Sequence, residues 1–127
     1  MQKFDNWNKM KKEISQKSSV YTKEGEIYYA SLGHNIGSEQ NGKGDKFMRP
    51  ILVYKKFGKE TILAMPLSSQ PKEGRFYFSF TFQPNKISVA LLSQIRLLDT
   101  KRLYSKIGRI RQNDLINMKK KFNELTN

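Results

Sequence analysis

Two short stretches of this 127-residue chain set polar side chains at the ends of apolar runs, and those side chains suit phosphate chemistry. Arg49 stands immediately before Pro50-Ile-Leu-Val53, and Ser68 and Ser69 follow Leu63-Ala-Met-Pro-Leu67. If both runs are strands, a guanidinium and a hydroxyl project at neighbouring strand ends. Arg offers a two-pronged donor with a permanent charge, and Ser a compact donor. Such a pair can grip one phosphate and stabilise a pentavalent phosphoryl transition state without a metal. Where the phosphate belongs to RNA, the adjacent 2′-hydroxyl supplies the nucleophile, so the protein contributes position and charge rather than a strong base.

Other constellations are missing. The chain has no Cys, which excludes thiolate metal sites, Cys nucleophiles and a disulfide framework. Its one His, His34, excludes a His-pair metal site, and nothing near it in sequence orients it as a general base. There is no HExxH and no Gly-rich loop between a strand and a helix; Gly42-Lys43-Gly44 lies in a loop without that context. No metal and no cofactor are expected.

The chain around these residues is basic. Eighteen Lys and six Arg face four Asp and seven Glu, a net charge of +13. That excess points to a polyanionic partner, most often nucleic acid. The preponderance of Lys over Arg also fits plain solubility. The charge is spread along the chain and interleaved with apolar residues, so there is no disordered basic tail. No apolar run approaches the roughly 18 residues of a membrane span. The start, MQKFDNWNKMKKEI, is polar throughout and lacks the apolar core of a signal peptide. One domain with an appended element, cytoplasmic and not membrane-bound, is the expectation.

The elements that must hold Arg49 and Ser68 can be read from periodicity. Phe4, Trp7, Met10 and Ile14 recur at helical spacing and predict a helix over 3–17, followed by a polar linker over 18–24. From Gly25 the pattern changes to strands. Residues 25–32 form the first, and a long polar segment with four Gly runs from Gly33 to Met48. Residues 50–54 and 61–66 are compact apolar strands, with Pro66 read as the stop of the second. In residues 75–83, Phe76, Phe78, Phe80 and Phe82 alternate with Tyr77, Ser79, Thr81 and Gln83, a period of two that sends the Phe face to the core. Residues 87–98 are strand-like but broken at Ser93-Gln94. Asp99 caps a short helical turn, residues 104–110 alternate as a strand, and Asn113 caps a closing helix with Leu115, Met118, Phe122 and Leu125 on its buried stripe. The count is about six strands with a helix at each end. That predicts a mainly β (α+β) fold, a small, partly closed β-barrel with helices packed on it.

In this order, several segments resemble the MazF/PemK family of toxins from bacterial type II toxin–antitoxin systems. Gly25-Glu-Ile-Tyr-Tyr-Ala-Ser-Leu-Gly33 is similar to the family's opening strand, and Ile36-Gly-Ser-Glu-Gln-Asn41 to its GSEQ loop. Arg49-Pro-Ile-Leu-Val53 resembles its RPVLV strand, and Ala64-Met-Pro-Leu-Ser-Ser-Gln70 falls at its hydroxyl-bearing strand end. Leu91-Leu-Ser-Gln-Ile-Arg-Leu-Leu-Asp99 with Lys101-Arg-Leu103 is similar to its LLxQIRxxD…KRL segment, and Ile107-Gly-Arg-Ile110 with the closing helix completes the order.

The resemblance spans about residues 25–126 and implies an SH3-like barrel domain over 25–127, preceded by an N-terminal helical extension and linker over 1–24. It implies a sequence-specific, metal-independent endoribonuclease acting on single-stranded RNA, a homodimer, and a cognate antitoxin protein that occupies the RNA site. The family's catalytic Arg falls on Arg49 and its catalytic Thr on Ser68, which keeps the hydroxyl. Ser38, Glu39, Gln40, Ser69 and Gln94 are implied contacts to substrate. The N-terminal extension and the longer loop through Lys43-Gly-Asp-Lys-Phe-Met48 depart from the family pattern. Two alternatives use a similar barrel: a non-enzymatic toxin of the CcdB type that binds a protein such as DNA gyrase, and an inactive nucleic-acid-binding barrel.

Overall fold

The structure is a computed structural model that describes residues 21–32 and 48–126. The helix expected over 3–17 lies outside the described residues, as does the loop from Gly33 to Phe47. Among the described residues there are seven strands: β1 (Glu26–Ser31), β2 (Met48–Phe57), β3 (Thr61–Ser68), β4 (Tyr77–Gln83), β5 (Lys86–Leu91), β6 (Arg96–Asp99) and β7 (Leu103–Arg109). One helix, α1 (Gln112–Thr126), follows them. It is not long and apolar enough to cross a membrane.

The strands form one antiparallel sheet in the order β4-β5-β3-β2-β1-β7, with β6 paired to β3. The expected six strands become seven because the run over 87–98 divides in two. The expected partial closure is also corrected: the hydrogen-bonded path is open, with β4 and β7 at its two ends. These end strands meet through a side chain instead. A Cβ on Gly108 of β7 would lie 2.5 Å from Cδ2 of Phe82 on β4, so the ring fills the seam that a backbone ladder would otherwise occupy.

β3 explains why the run over 87–98 divides. On one edge it pairs with β2 along most of its length. On the other edge, Thr61–Ala64 pair with β6, whereas Leu67 and Ser68 pair with Ala90 and Val89 of β5. Two successive strands therefore share one edge, and the 3-10 turn Leu92–Gln94 carries the chain from the first to the second. Pro66, expected to stop β3, lies between the two partners on that edge. A residue with no N–H is tolerated where the ladder has a gap, and the strand runs on to Ser68.

β1, β2 and β3 are buried on both faces, which is why their sequences read as continuous apolar runs. Ile27, Leu52, Met65 and Leu67 join a core with Phe80, Leu92 and the Leu115 and Met118 side chains of α1. Tyr28, Ile51, Val53, Ile62 and Ala64 join a second core with Leu98 and Leu103. Of the alternating Phe residues, Phe80 is buried and Phe78 and Phe82 pack against the first core, as expected. Phe76 precedes β4 and is exposed, because the strand begins one residue later. A 15-residue helix is marginal alone in water, so α1 depends on its apolar stripe. Leu115 and Met118 are buried, Phe122 and Leu125 pack on the same core, and Tyr54 meets the Phe122 ring edge-on at 5.3 Å. Asn113 lies inside this helix rather than at its cap, because the helix begins at Gln112. Asp99 does cap its turn, accepting from the Lys101 N–H at 2.8 Å.

The end of the expected linker is anchored. Thr22 is buried, and Glu24 pairs with Lys119 of α1 at 2.9 Å. Glu26, at the start of β1, is a buried carboxylate with three donors: Lys106 Nζ at 2.9 Å, the Lys23 N–H at 2.9 Å and the Tyr28 hydroxyl at 3.1 Å. Burial acts to raise its pKa, but these donors outweigh it and hold the carboxyl below its ordinary 4.5. Burial, with the Glu26 carboxylate beside it, pushes the Tyr28 hydroxyl up to about 12. A lowered carboxyl pKa contributes stability that is present above the unfolded value and lost as pH falls through the folded one. Glu26→Gln should thus lower unfolding free energy at pH 7 by about 1–3 kcal/mol. In urea titrations that deficit should shrink as the pH falls below about 4; a deficit independent of pH would show that the carboxylate is not the stabilising form.

Candidate active site

Arg49 is the second residue of β2 and Ser68 the last of β3. The β2–β3 register pairs Val53 with Ala64, Leu52 with Met65 and Ile51 with Pro66. Carried two residues further, it sets Arg49 across from Ser68, and residues directly opposite in an antiparallel pair share a face. Beyond Pro50, Ile51, Leu52 and Val53 are fully buried, while Arg49 is exposed. Among the described residues Arg49 has no ion-pair partner, so its guanidinium is not engaged by a carboxylate of the described fold. Ser68 Oγ accepts a hydrogen bond from the Gln70 N–H at 3.1 Å. That bond uses an oxygen lone pair and orients the side chain, and it leaves the hydroxyl proton free to donate to an anion.

Both residues line a cleft of about 960 Å³, and Ser69 and Gln94 line it too. The structure thus brings four of the expected site residues together. Ser38, Glu39 and Gln40 lie outside the described residues. Three cations, Arg49, Lys72 and Lys86, face the cleft, and no carboxylate is among its described lining residues. A wall of one sign raises the local concentration of anions. The described lining supplies no carboxylate to a divalent ion, and no three acidic or His side chains group as metal ligands among the described residues.

Several cleft residues were not singled out from the sequence. Tyr29 on β1 pairs with Pro50, next to Arg49, and keeps 42% of its surface exposed. Gln83, Asn85, Lys86 and Ile87 come from the tip of the β4–β5 hairpin. The signal for this tip was present. Gln83 pairs with Lys86 around Pro84-Asn85, and Asn85 has φ of 60°. Pro followed by Asn is the pattern of a tight turn with a left-handed third residue.

A sequence profile described as "PemK-like, MazF-like toxin of type II toxin-antitoxin system" matches residues 23–126. No curated protein matches the chain significantly. Among solved structures, a MazE–MazF complex from Deinococcus radiodurans superposes with a TM-score of 0.64 at 18% identity, covering 84% of this chain and 96% of the other. An endoribonuclease in complex with its cognate antitoxin from a mycobacterial species gives 0.63 at 11% identity, covering 81% and 92%. The Mycobacterium tuberculosis toxin MazF-mt6 gives 0.60 at 14%, covering 78% and 93%. At these identities the superpositions speak for the fold, and the profile match, over most of the chain, speaks for the family, whose toxins are endoribonucleases. This chain belongs to the PemK-like, MazF-like toxins of type II toxin–antitoxin systems.

Proposed function

We propose that the chain is a cytoplasmic, sequence-specific endoribonuclease that cuts single-stranded RNA without a metal ion. The observation that carries this reading is that Arg49 and Ser68, at the ends of β2 and β3, line one cleft whose described charges are all positive. The substrate's 2′-oxygen attacks the adjacent phosphorus as the bond to the 5′-oxygen breaks. The 2′-hydroxyl loses its proton and the departing 5′-oxygen gains one, so the products are a 2′,3′-cyclic phosphate and a 5′-hydroxyl. Charge accumulates on the non-bridging oxygens of the phosphorane, where a guanidinium fork and a hydroxyl proton stabilise it more than they stabilise the substrate. Ser69 and Gln94 contact the flanking nucleotides, with Ser38, Glu39 and Gln40 of the long loop completing the substrate site. The protein acts as a homodimer and is held inactive by a cognate antitoxin that covers the same cleft.

Incubation of the full chain with mixed-sequence single-stranded RNA in EDTA tests the reading. The expected result is cleavage at defined sites, with 2′,3′-cyclic phosphate ends and undiminished rate in the chelator. Absence of cleavage, or its loss in EDTA, would overturn the proposal. Binding should weaken steeply with salt, because each phosphate contact releases counterions.

A further inference from the structure

The tip of the β4–β5 hairpin is built for a different task from that of Arg49 and Ser68. Gln83, Asn85, Lys86 and Ile87 all line the cleft. Ser68 pairs with Val89 on β5. At about 3.3 Å per residue, Ile87 is therefore roughly 7 Å from that pair along the strand and Asn85 roughly 13 Å. That is too far to touch the phosphate held at Ser68, but within reach of a neighbouring nucleotide.

The tip's chemistry suits a base. Among the described residues, neither the Gln83 nor the Asn85 side-chain amide is bonded to another protein group. Each such amide offers a donor and an acceptor on one planar group, the arrangement that matches the edge of a nucleobase. Ile87 is 62% exposed and faces the same space, an apolar surface left uncovered beside two amides. Lys86 supplies a charge for an adjoining phosphate. The tip is also rigid. The Gln83–Lys86 pair closes the hairpin, Pro84 fixes one turn residue, and Asn85 adopts φ of 60°, which suits Asn or Gly and few other residues. Side chains on a rigid turn discriminate better than side chains on a free loop, because less ordering opposes binding.

We infer that this tip reads the identity of one unpaired base flanking the scissile phosphate, with Gln83 and Asn85 on the base edge and Ile87 against its face. The inference rests on the nuclease reading and adds to it the element that sets part of the sequence preference. The test is to map cleavage sites on a randomised single-stranded RNA pool for the unaltered chain, Asn85→Gly and Gln83→Ala. Gly accepts the φ of residue 85, so Asn85→Gly removes the amide without straining the turn. The expected result is that base preference at one flanking position flattens by about tenfold, while preferences elsewhere stay as they were. Urea unfolding of each variant confirms the fold, and Gln83→Ala carries the test alone if Asn85→Gly fails to fold. Unchanged preference at every position in a folded variant, or a uniform fall in rate with preference intact, overturns the inference. Failure of the unaltered chain to cut the pool overturns the nuclease reading itself, and this inference with it.

Discussion

Arg49→Ala should remove cleavage of single-stranded RNA, by about 10³-fold or more in kcat, and leave the urea midpoint unchanged. The size follows from what is deleted. A single neutral donor to a developing oxyanion contributes about 10²–10³ in rate, and Arg49 supplies a full charge in addition to a two-pronged donor. The unchanged midpoint follows from position. Arg49 is exposed at the end of β2 and has no ion-pair partner among the described residues, so its removal strands no buried group. Arg49→Lys keeps the charge but loses the fork and should fall between the two. Ser68→Ala should cost about 10²-fold, and Ser68→Thr should retain activity because the hydroxyl and its bond from Gln70 survive. Single-turnover assays with saturating enzyme measure these rates. An Arg49→Ala protein within tenfold of the unaltered rate would remove Arg49 from the chemistry.

Gly108→Ala destabilises the fold by about 1–3 kcal/mol, and a second substitution at Phe82 gives much of that back. The added Cβ would stand 2.5 Å from Cδ2 and 2.8 Å from Cε2 of the Phe82 ring, closer than carbon atoms approach. Phe82 packs against the core, with the Phe80 ring centroid 6.1 Å away, and borders the cleft, so a ring that swings aside gives up that packing. The clash is relieved either by displacing the ring, at the cost of its packing, or by shifting the β4 or β7 backbone. Phe82→Leu alone should cost stability through lost packing, whereas in the Gly108→Ala background it should cost less. That coupling identifies a direct contact. Equilibrium unfolding of the four proteins in urea measures the cycle, and additive effects would mean that β4 and β7 do not meet there.

Much of this architecture is legible in the sequence, because local chemistry dictates it. The Phe alternation announces β4, the apolar runs announce doubly buried β2 and β3, and Asp99 announces its turn. The strand ends near Arg49 and Ser68 can be located to within one or two residues, since the runs read as 50–54 and 61–66 extend to Met48 and Ser68. Their mutual register cannot, because it depends on a bulge between Val53 and Lys55 and on which strands are neighbours, neither of which leaves a local pattern. Pro66 misleads in isolation, since the gap that tolerates it exists only once β5 and β6 share the edge of β3. The Gln83–Ile87 tip has a turn signature, but its position on the cleft is a tertiary fact.

Among the described residues, the backbone ladder between the β4–β5 hairpin and the rest of the sheet consists of two residue pairs, Leu67 with Ala90 and Ser68 with Val89; side-chain packing adds contacts, of Phe82 on Gly108 and of Phe80 in the core. With so short a ladder at this seam, the hairpin's amides are expected to exchange with solvent at a lower free energy than those of β2, which is paired along both edges. Because Ser68 is itself half of the seam, opening the hairpin also disorders the hydroxyl. On the proposed nuclease reading, an RNA strand touching Arg49 on one side and the hairpin on the other would bridge the seam, and its binding energy would oppose opening. Slowed amide exchange in β4 and β5, more than in β1, is therefore the dynamic signature of a bound substrate.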